Sequence, residues 1–238
     1  MRKFMVVGAS LLLGLHAVTQ AQQVYSPLNA ITSDVRYQGM ISSLNSSLES
    51  EIAADDAPSV SLPSSSFTYR YARQRTQENL RTFLARTPDP VARADLEQMF
   101  AAQPALMDDI SAAVRAYGFD PHNVADAYAA WWINVWGVSQ KTDIEPDAAT
   151  VEAVKQQVRS ALAATPYLDQ SGDAERQQDA EAFLLQAALL GSAFEQMKGD
   201  PKMLDQLAQA AHQGAKASGL DLAKMTLTPK GFVPRKNR

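Results

Sequence analysis

The residues that could carry out acid–base, metal or nucleophilic chemistry are few in this chain. It has no cysteine and three histidines among 238 residues. The lack of thiols excludes disulfides, thiolate zinc sites, iron–sulfur clusters and a lipidated N-terminal cysteine. No sequence pattern of a zincin, a serine hydrolase, a phosphate-binding loop or a dinucleotide-binding fold is present. We therefore predict no cofactor and no metal site.

His122 is the histidine with the most polar surroundings. It stands beside Asp120, Asn123 and Asp126 at a predicted helix start. A metal-binding or acid–base role is one interpretation, and a polar first turn of a helix is the other. We favour the polar helix start, because no other residue has the spacing of a metal ligand. For His212 we predict a position on a helix surface.

The three tryptophans form a dense aromatic cluster, because Trp131, Trp132 and Trp136 lie within six residues. One interpretation is a central helix whose tryptophans fill the core, with their indole N–H groups hydrogen-bonded. The other is an aromatic groove with polar residues at its base, suited to a sugar or a peptide. The candidate groove residues are Asn123, Asp126, Tyr128, Trp132, Asn134 and Trp136. We favour the core, since clustered aromatic residues at helical spacing are usually buried.

An arginine-rich stretch precedes this cluster. Between Phe67 and Arg86, five arginines stand against a single acidic residue, Glu78. One interpretation is a docking surface for an anionic partner, such as a phospholipid head group or an acidic protein. Its candidate residues are Arg70, Arg73, Arg75 and Arg81. The favoured alternative is that these arginines pair with acidic helices of the same protein, because surface charges are usually solvated or internally balanced.

Residues 1–21 have the pattern of a cleaved signal peptide. Arg2 and Lys3 precede an apolar stretch, and Ala21 ends a small-residue cleavage site. The apolar stretch is shorter than the ~20 residues that span a bilayer. We therefore expect export to the periplasm or secretion, with a mature chain that starts near Gln22. Removal of two basic residues and no acidic one changes the formal charge from −4 to −6, which argues against a nucleic-acid partner.

The rest of the chain divides into an extension, a helical domain and a tail. Residues 22–66 are polar and rich in serine, with one amphipathic patch. The apolar members of that patch are Ile41, Leu44, Leu48 and Ile52. Their spacing predicts a short docking helix near 38–54, followed by a flexible linker. Residues 67–234 form the predicted domain, and residues 235–238 form a basic tail.

Helical periodicity with clear breaks predicts an all-α domain, a bundle of six or seven helices. The predicted helices cover residues 67–86, 90–102, 104–117, 121–139, 147–164, 173–198 and 201–218. Asp89 and Asp200 each have the pattern of an N-cap followed by a first-turn proline. Gly118 and Gly219 have the pattern of left-handed helix stops. Residues 225–234 predict a short C-terminal β-hairpin with a turn at a proline and a glycine.

One segment resembles a known family. The sequence Tyr-Gly-Phe-Asp-Pro-His-Asn-Val-Ala-Asp-Ala-Tyr at residues 117–128, followed by the tryptophans, is similar to an uncharacterised bacterial family of exported, mostly helical proteins, a domain of unknown function. The arginine-rich stretch that starts near Tyr69 and the closing Gly231 and Phe232 resemble it as well. The resemblance covers about residues 67–234 and implies an exported, mostly helical bacterial protein. It assigns no activity and no catalytic residue.

Export and the lack of a catalytic pattern favour a non-enzymatic binding or interaction protein with a protein partner in the cell envelope. A first alternative is a hydrolase of cell-wall glycan or peptide that uses His122, Asn123 and Asp126 beside the tryptophans. A second alternative is a protein that docks on an anionic membrane surface through its arginines. Contact with the membrane is peripheral in that case, because the apolar N-terminal stretch is too short to span a bilayer.

Overall fold

The computed structural model describes residues 41–43, 45–50 and 62–235. The predicted signal peptide lies outside the described residues, as do part of the predicted docking helix and the last three residues of the basic tail. The described part is a bundle of α-helices followed by a two-stranded antiparallel hairpin. The prediction of an all-α fold with a C-terminal hairpin is therefore confirmed.

The helices of the domain are numbered in chain order over the described residues. They begin with α1 (Arg73–Arg86), α2 (Pro90–Ala102), α3 (Leu106–Arg115) and α4 (Val124–Ser139). They continue with α5 (Ala148–Ala163), the single turn α6 (Tyr167–Gln170), α7 (Asp173–Met197) and α8 (Pro201–Ala217). Short 3-10 turns occupy Ser64–Phe67 and Leu222–Lys224, and the hairpin consists of β1 (Met225–Thr228) and β2 (Gly231–Pro234). Residues 41–43 and 45–50 are also helical, and we refer to them as the N-terminal segment.

Local side chains and glycines set several helix ends where the sequence predicts them. Asp89 accepts hydrogen bonds from two backbone N–H groups at the start of α2, and Asp200 does the same for α8. A proline follows each of these caps in the first turn. Gly118 and Gly219 follow α3 and α8 with φ angles of +87° and +92°, which glycine adopts without steric cost.

The predicted first helix is wrong at its start, because α1 begins at Arg73, several residues later than predicted. The preceding residues bond to other elements instead of to each other. The Tyr69 N–H donates to the His122 carbonyl at 3.2 Å. The Gln177 side chain binds the backbone N–H and carbonyl of Ala72, at 3.0 and 2.9 Å. These tertiary hydrogen bonds replace a helical turn and hold the stretch against α4 and α7.

Helix α4 is the centre of the bundle and packs against α5, α7 and α8. From Val124 to Val138, every residue except Trp136 is buried. Trp132 and Tyr128 are among the largest fully buried side chains. A helix that is apolar on most sides belongs in a core, and this is the position that the core interpretation of the tryptophans predicts.

The N-terminal segment lies against α4 and the end of α8. Ile41 and Leu48 are buried, with 3% and 0% of their surface exposed. Asn45 donates to the Ser218 carbonyl at 2.6 Å and accepts a hydrogen bond from the Tyr128 hydroxyl. These buried polar contacts fix the position of the segment, because an unpaired buried hydroxyl is costly.

One glutamine holds the hairpin against α5. Gln157 donates to the Phe232 carbonyl at 2.7 Å and accepts from the Phe232 N–H at 2.9 Å. The Phe232 ring stacks on Trp132, with ring centroids 4.0 Å apart. The Trp136 indole N–H donates to the Met225 carbonyl at 3.3 Å. The hairpin therefore covers the tryptophan face of α4.

Candidate functional site

The residues of the predicted aromatic groove lie in the interior of the bundle. Trp136 is partly buried, and the other five expose at most 5% of their surface. Those five are Asn123, Asp126, Tyr128, Trp132 and Asn134. A ligand reaches this set only if the core opens, so the described residues form no solvent-open groove there.

Asn123 has a structural role at the start of α4. Its side-chain oxygen accepts from the backbone N–H groups of Ala125 and Asp126, at 3.0 and 3.2 Å. Its amide nitrogen donates to the carbonyl and the hydroxyl of Ser64, at 3.0 and 3.1 Å. Both ends of the side chain are therefore occupied by the protein itself.

Asp126 lies in a buried ionic cluster between α4 and α5. Its carboxylate is 2.9 Å from the Lys155 ammonium and 3.9 Å from the Arg159 guanidinium. It also accepts from the Asp120 N–H at 2.9 Å, and Glu152 pairs with the same two cations. Burial raises the pKa of Asp126, while these hydrogen bonds and cations lower it. The cluster accounts for Asp126 as a residue that joins two helices.

The tryptophans satisfy the core interpretation in part. The Trp136 indole N–H is hydrogen-bonded to the hairpin, as that interpretation predicts. The buried Trp132 indole nitrogen and the Asn134 side-chain oxygen have no hydrogen-bond partner within the described ranges. Burial also raises the pKa of Tyr128, so its hydroxyl stays protonated and donates to Asn45.

The arginines of the predicted anionic surface have separate environments. Arg70 and Arg73 each lie near an aspartate of another helix, with nitrogen–oxygen distances of 3.9 and 3.3 Å. Arg75 donates to the Arg70 carbonyl at 2.9 Å, and Arg81 is exposed. The pairing of the first two arginines agrees with the interpretation in which the protein balances its own charges.

A polar cavity of about 160 Å³ lies between the stretch before α1, helix α3, the turn before α4 and helix α7. We name it the tyrosine–histidine cavity. Its main polar lining residues are Tyr69, Tyr71, Ser111, Arg115, His122 and Glu181. Convergent polar groups in a concave site are a usual sign of a ligand site, so this cavity is the candidate functional site.

Two tyrosines and a histidine form one wall of the cavity. The Tyr71 ring stacks on the His122 ring, with centroids 4.9 Å apart and planes 15° apart. Tyr69 is tilted against the same imidazole at 5.8 Å, and its hydroxyl donates to the Pro121 carbonyl at 2.9 Å. Burial raises the pKa of the Tyr69 hydroxyl, so Tyr69 stays uncharged in this wall.

Glu181 is a buried carboxylate that has hydrogen-bond donors but no ion pair among the described residues. It accepts from the Thr76 hydroxyl at 2.6 Å, the Asn79 amide at 2.7 Å and the Gln177 amide at 2.9 Å. Burial raises the pKa of Glu181, whereas these three bonds and the charge of His122 lower it. The hydrogen bonds that hold the carboxylate therefore all come from neutral groups, and His122 acts on it through its charge alone.

Three polar groups of the cavity keep their hydrogen-bonding capacity free within the part of the chain that the structure describes. They are the Ser111 hydroxyl, the Arg115 guanidinium and the His122 imidazole. Asp108, which also lines the cavity, lies 3.3 Å from Arg73. The free groups can donate hydrogen bonds to a bound molecule.

A second cavity between α1 and α7 also touches Glu181, and its volume is about 30 Å³. A cavity of that volume holds only a few waters, so we do not consider it a ligand site. The residues that the structure describes contain no group of three or more histidine and acidic side chains able to hold a metal ion.

Sequence analysis singled out His122 but missed the residues that surround it. Tyr69, Ser111, Arg115 and Glu181 belong to separate elements, and none has a motif around it. The available signal was a charged residue within the apolar, core-facing part of α7. Glu181 stands there, and a carboxylate in that position needs buried donors.

A family model with the description "Family of unknown function (DUF6683)" matches residues 1–235. The predicted resemblance to an uncharacterised family is confirmed, whereas bacterial origin and export stay predictions. No curated protein and no solved structure matches the chain. The cavity therefore has to be interpreted from its own geometry.

Proposed function

We propose that this chain, which belongs to the DUF6683 family of unknown function, is an exported binding protein that holds a small polar ligand in the tyrosine–histidine cavity. One observation carries the proposal. Ser111, Arg115 and His122 converge on a cavity of about 160 Å³ and have no hydrogen-bond partner for their side chains among the described residues. A polar ligand supplies those partners.

The volume of the cavity limits the ligand to a small molecule. Pockets for drug-sized ligands measure about 300–1,000 Å³, which is larger than the 160 Å³ available here. A compact polar molecule fits this volume, and an oligosaccharide does not.

The walls of the cavity are fixed before a ligand arrives. The stretch before α1 is bonded to His122 and Gln177 through the backbone of Tyr69 and Ala72. Glu181 is held by three hydrogen bonds. A preorganised site loses less conformational entropy on binding, which supports a binding role.

The hydrolase alternative has less support. His122 lines the cavity, while Asn123 caps α4 and Asp126 pairs with Lys155, so these residues do not share one site. Within the cavity, Ser111 and His122 form no side-chain hydrogen bond with each other, although a nucleophile and its base normally lie within that reach. We therefore propose binding without turnover.

The cellular setting of the proposal comes from the sequence. The pattern of residues 1–21 supports export through a cleaved signal peptide, to the periplasm or outside the cell. A protein partner in the cell envelope that distinguishes the ligand-bound form fits this setting. The formal net charge of −4 supports a partner other than a nucleic acid.

Docking on an anionic membrane through the arginines is a weaker candidate. Arg70 and Arg73 are already close to aspartates of the protein, which reduces the positive potential that they offer. Within the described ranges, we find no helix with the length and apolar character needed to cross a membrane.

A ligand screen with a blocked cavity tests the proposed function. The purified protein is screened by thermal shift against a panel of small amino acids, carboxylates, amines, sugars and phosphates, and hits are measured by calorimetry. Ser111→Phe places a large ring in the cavity and should weaken binding by about ten-fold or more. Ala112→Phe is the matched control, because Ala112 is the exposed neighbour on α3. Absence of any ligand, or binding unaffected by Ser111→Phe, contradicts the proposal.

A further inference from the structure

Two opposite charges that line the cavity form no ion pair within the described residues. Glu181 exposes only 7% of its surface and is bound by neutral donors. Arg115 has no ion pair and no side-chain hydrogen bond within the described ranges. By comparison, the buried Asp126 has the Lys155 ammonium at 2.9 Å. The charge of His122 acts on Glu181 without an ion pair. A buried carboxylate without a cation in direct contact is unfavourable, so Glu181 needs an explanation that Asp126 does not.

Both charges belong to the tyrosine–histidine cavity. Arg115 and Glu181 line the cavity, and the first is exposed while the second is buried. The carboxylate of Glu181 is therefore shielded from solvent, whereas Arg115 is exposed to it. Tyr69 is influenced by both, since Glu181 raises the pKa of its hydroxyl and Arg115 lowers it. The cavity thus offers a buried carboxylate and an exposed guanidinium to one ligand, with Asp108 and His122 also in its lining.

We infer that the ligand is a small zwitterion, a molecule that carries one ammonium and one carboxylate group, such as a free amino acid with a short side chain. The inference rests on the proposed function, because it names the ligand class of the same cavity. The ammonium group binds Glu181 and supplies the direct ion pair that this carboxylate lacks. The carboxylate of the ligand binds the Arg115 guanidinium and the Ser111 hydroxyl.

The remaining wall suits such a molecule. The stacked rings of Tyr71 and His122 offer a flat surface to the aliphatic part of the ligand, and the face of the tyrosine ring attracts an ammonium group. A ligand with a single charge leaves either Glu181 or Arg115 without its partner. The site should therefore prefer a zwitterion to a ligand with a single charge, because a binding-site group that is left unpaired weakens the binding of an analogue without the matching charge.

Isothermal titration calorimetry with matched probes tests the inference. The probes are L-alanine, β-alanine and 4-aminobutyrate, which separate the two charges by different lengths, together with propionate and propylamine, which carry one charge each. We expect at least one of the zwitterions to bind more tightly than both single-charge probes, by about ten-fold or more. A hydrogen bond to a charged group contributes enough free energy for a difference of this size.

Substitutions of Arg115 and Glu181 test which residue binds each charged group of the ligand. Arg115→Gln and Glu181→Gln should each weaken binding of the preferred zwitterion by about ten-fold or more. Arg81→Gln is the matched control, because Arg81 is exposed and does not line the cavity. Arg115→Glu should shift the preference from the zwitterion towards propylamine. This exposed substitution keeps the test valid even where the buried Glu181→Gln variant fails to fold.

The outcomes separate the inference from the proposed function. Equal binding of propionate or propylamine and the zwitterions overturns the ligand class and leaves the binding role intact. The ligand class is also wrong if no zwitterion binds while another compound of the wider panel does, and Ser111→Phe blocks that binding. The binding role of the cavity stays intact in that case. If no compound of either panel binds, both the inference and the proposed function fail.

Discussion

Asp126 and Glu181 are buried carboxylates that the protein stabilises in different ways. Asp126 has the Lys155 ammonium at 2.9 Å, whereas Glu181 relies on the hydroxyl of Thr76 and two side-chain amides. Burial raises the pKa of both groups. Asp126, with its ion pair, links α4 to α5. Glu181 has no ion pair and lines a cavity, and a ligand ammonium is the cation that we propose for it.

The raised pKa of Glu181 predicts how this residue affects stability at different pH values. Between the ordinary pKa of 4.5 and the raised value in the folded protein, the folded state holds a proton that the unfolded chain has released. The contribution of Glu181 to the free energy of unfolding therefore falls as the pH rises through this window. It is fully present below the ordinary value and lost above the raised one.

Glu181→Gln removes this titration and provides the comparison. Urea denaturation of both proteins between pH 7 and pH 4.5 gives their free energies of unfolding. We expect the wild-type protein to gain stability relative to the variant as the pH falls. His122 and Tyr69 are titratable neighbours that interact electrostatically with Glu181, so the difference between the two proteins measures Glu181 together with its coupling to them. A wild-type protein that instead loses stability relative to the variant shows that hydrogen bonding outweighs burial at this carboxylate.

At the scale of elements, the ends of helices differ in how far the sequence predicts them. Asp89 and Asp200 cap α2 and α8 as predicted, because capping is an interaction between close neighbours in the chain. The start of α1 was not predictable in this way. Ala72 bonds to Gln177, which is 105 positions further along the chain, and no local pattern reports such a contact.

The junction between the hairpin and α5 predicts an intolerant glycine. Gly231 has a φ angle of +89°, and an added Cβ would clash with the side-chain oxygen of Gln157, the residue that binds Phe232. Gly231→Ala should lower the free energy of unfolding by about 1–3 kcal/mol through backbone strain, with a further loss where Gln157 is displaced. Urea denaturation measures the change.

Gly199→Ala is the matched control for that substitution. Nothing lies within 4 Å of a Cβ added at Gly199, so the expected change is within about 0.5 kcal/mol. Similar losses in the two variants would show that the contact between Gly231 and Gln157 does not hold the hairpin in solution.

At the scale of the whole molecule, the bundle was predictable and the candidate site was not. Apolar periodicity and local breaks specify helices and their faces, and α4 is buried as its composition requires. The cavity, however, joins residues from separate stretches. Thr76 and Glu181, for example, form a hydrogen bond across 105 positions. Residue types and their spacing within one element do not predict such a contact between distant parts of the chain.

The N-terminal segment makes the stability of the whole molecule depend on residues outside the predicted helical domain. Asn45 accepts a hydrogen bond from Tyr128 and donates to the Ser218 carbonyl. Asn45→Ala leaves the fully buried Tyr128 hydroxyl without an acceptor, which should lower the free energy of unfolding by about 1–3 kcal/mol. Urea denaturation measures this loss, and Ser46→Ala, at the exposed neighbouring position, is the control.

A double variant separates this contact from a general effect of the substitution. Tyr128→Phe in the Asn45→Ala background removes the orphaned hydroxyl, so the double variant should be at least as stable as Asn45→Ala alone. Because Asn45 and Tyr128 share one hydrogen bond, the sum of the losses in the free energy of unfolding of the two single variants should exceed the loss in the double variant. Strictly additive losses would show that Asn45 and Tyr128 act independently. No loss in Asn45→Ala would mean that the segment contributes nothing to the folded state through this contact.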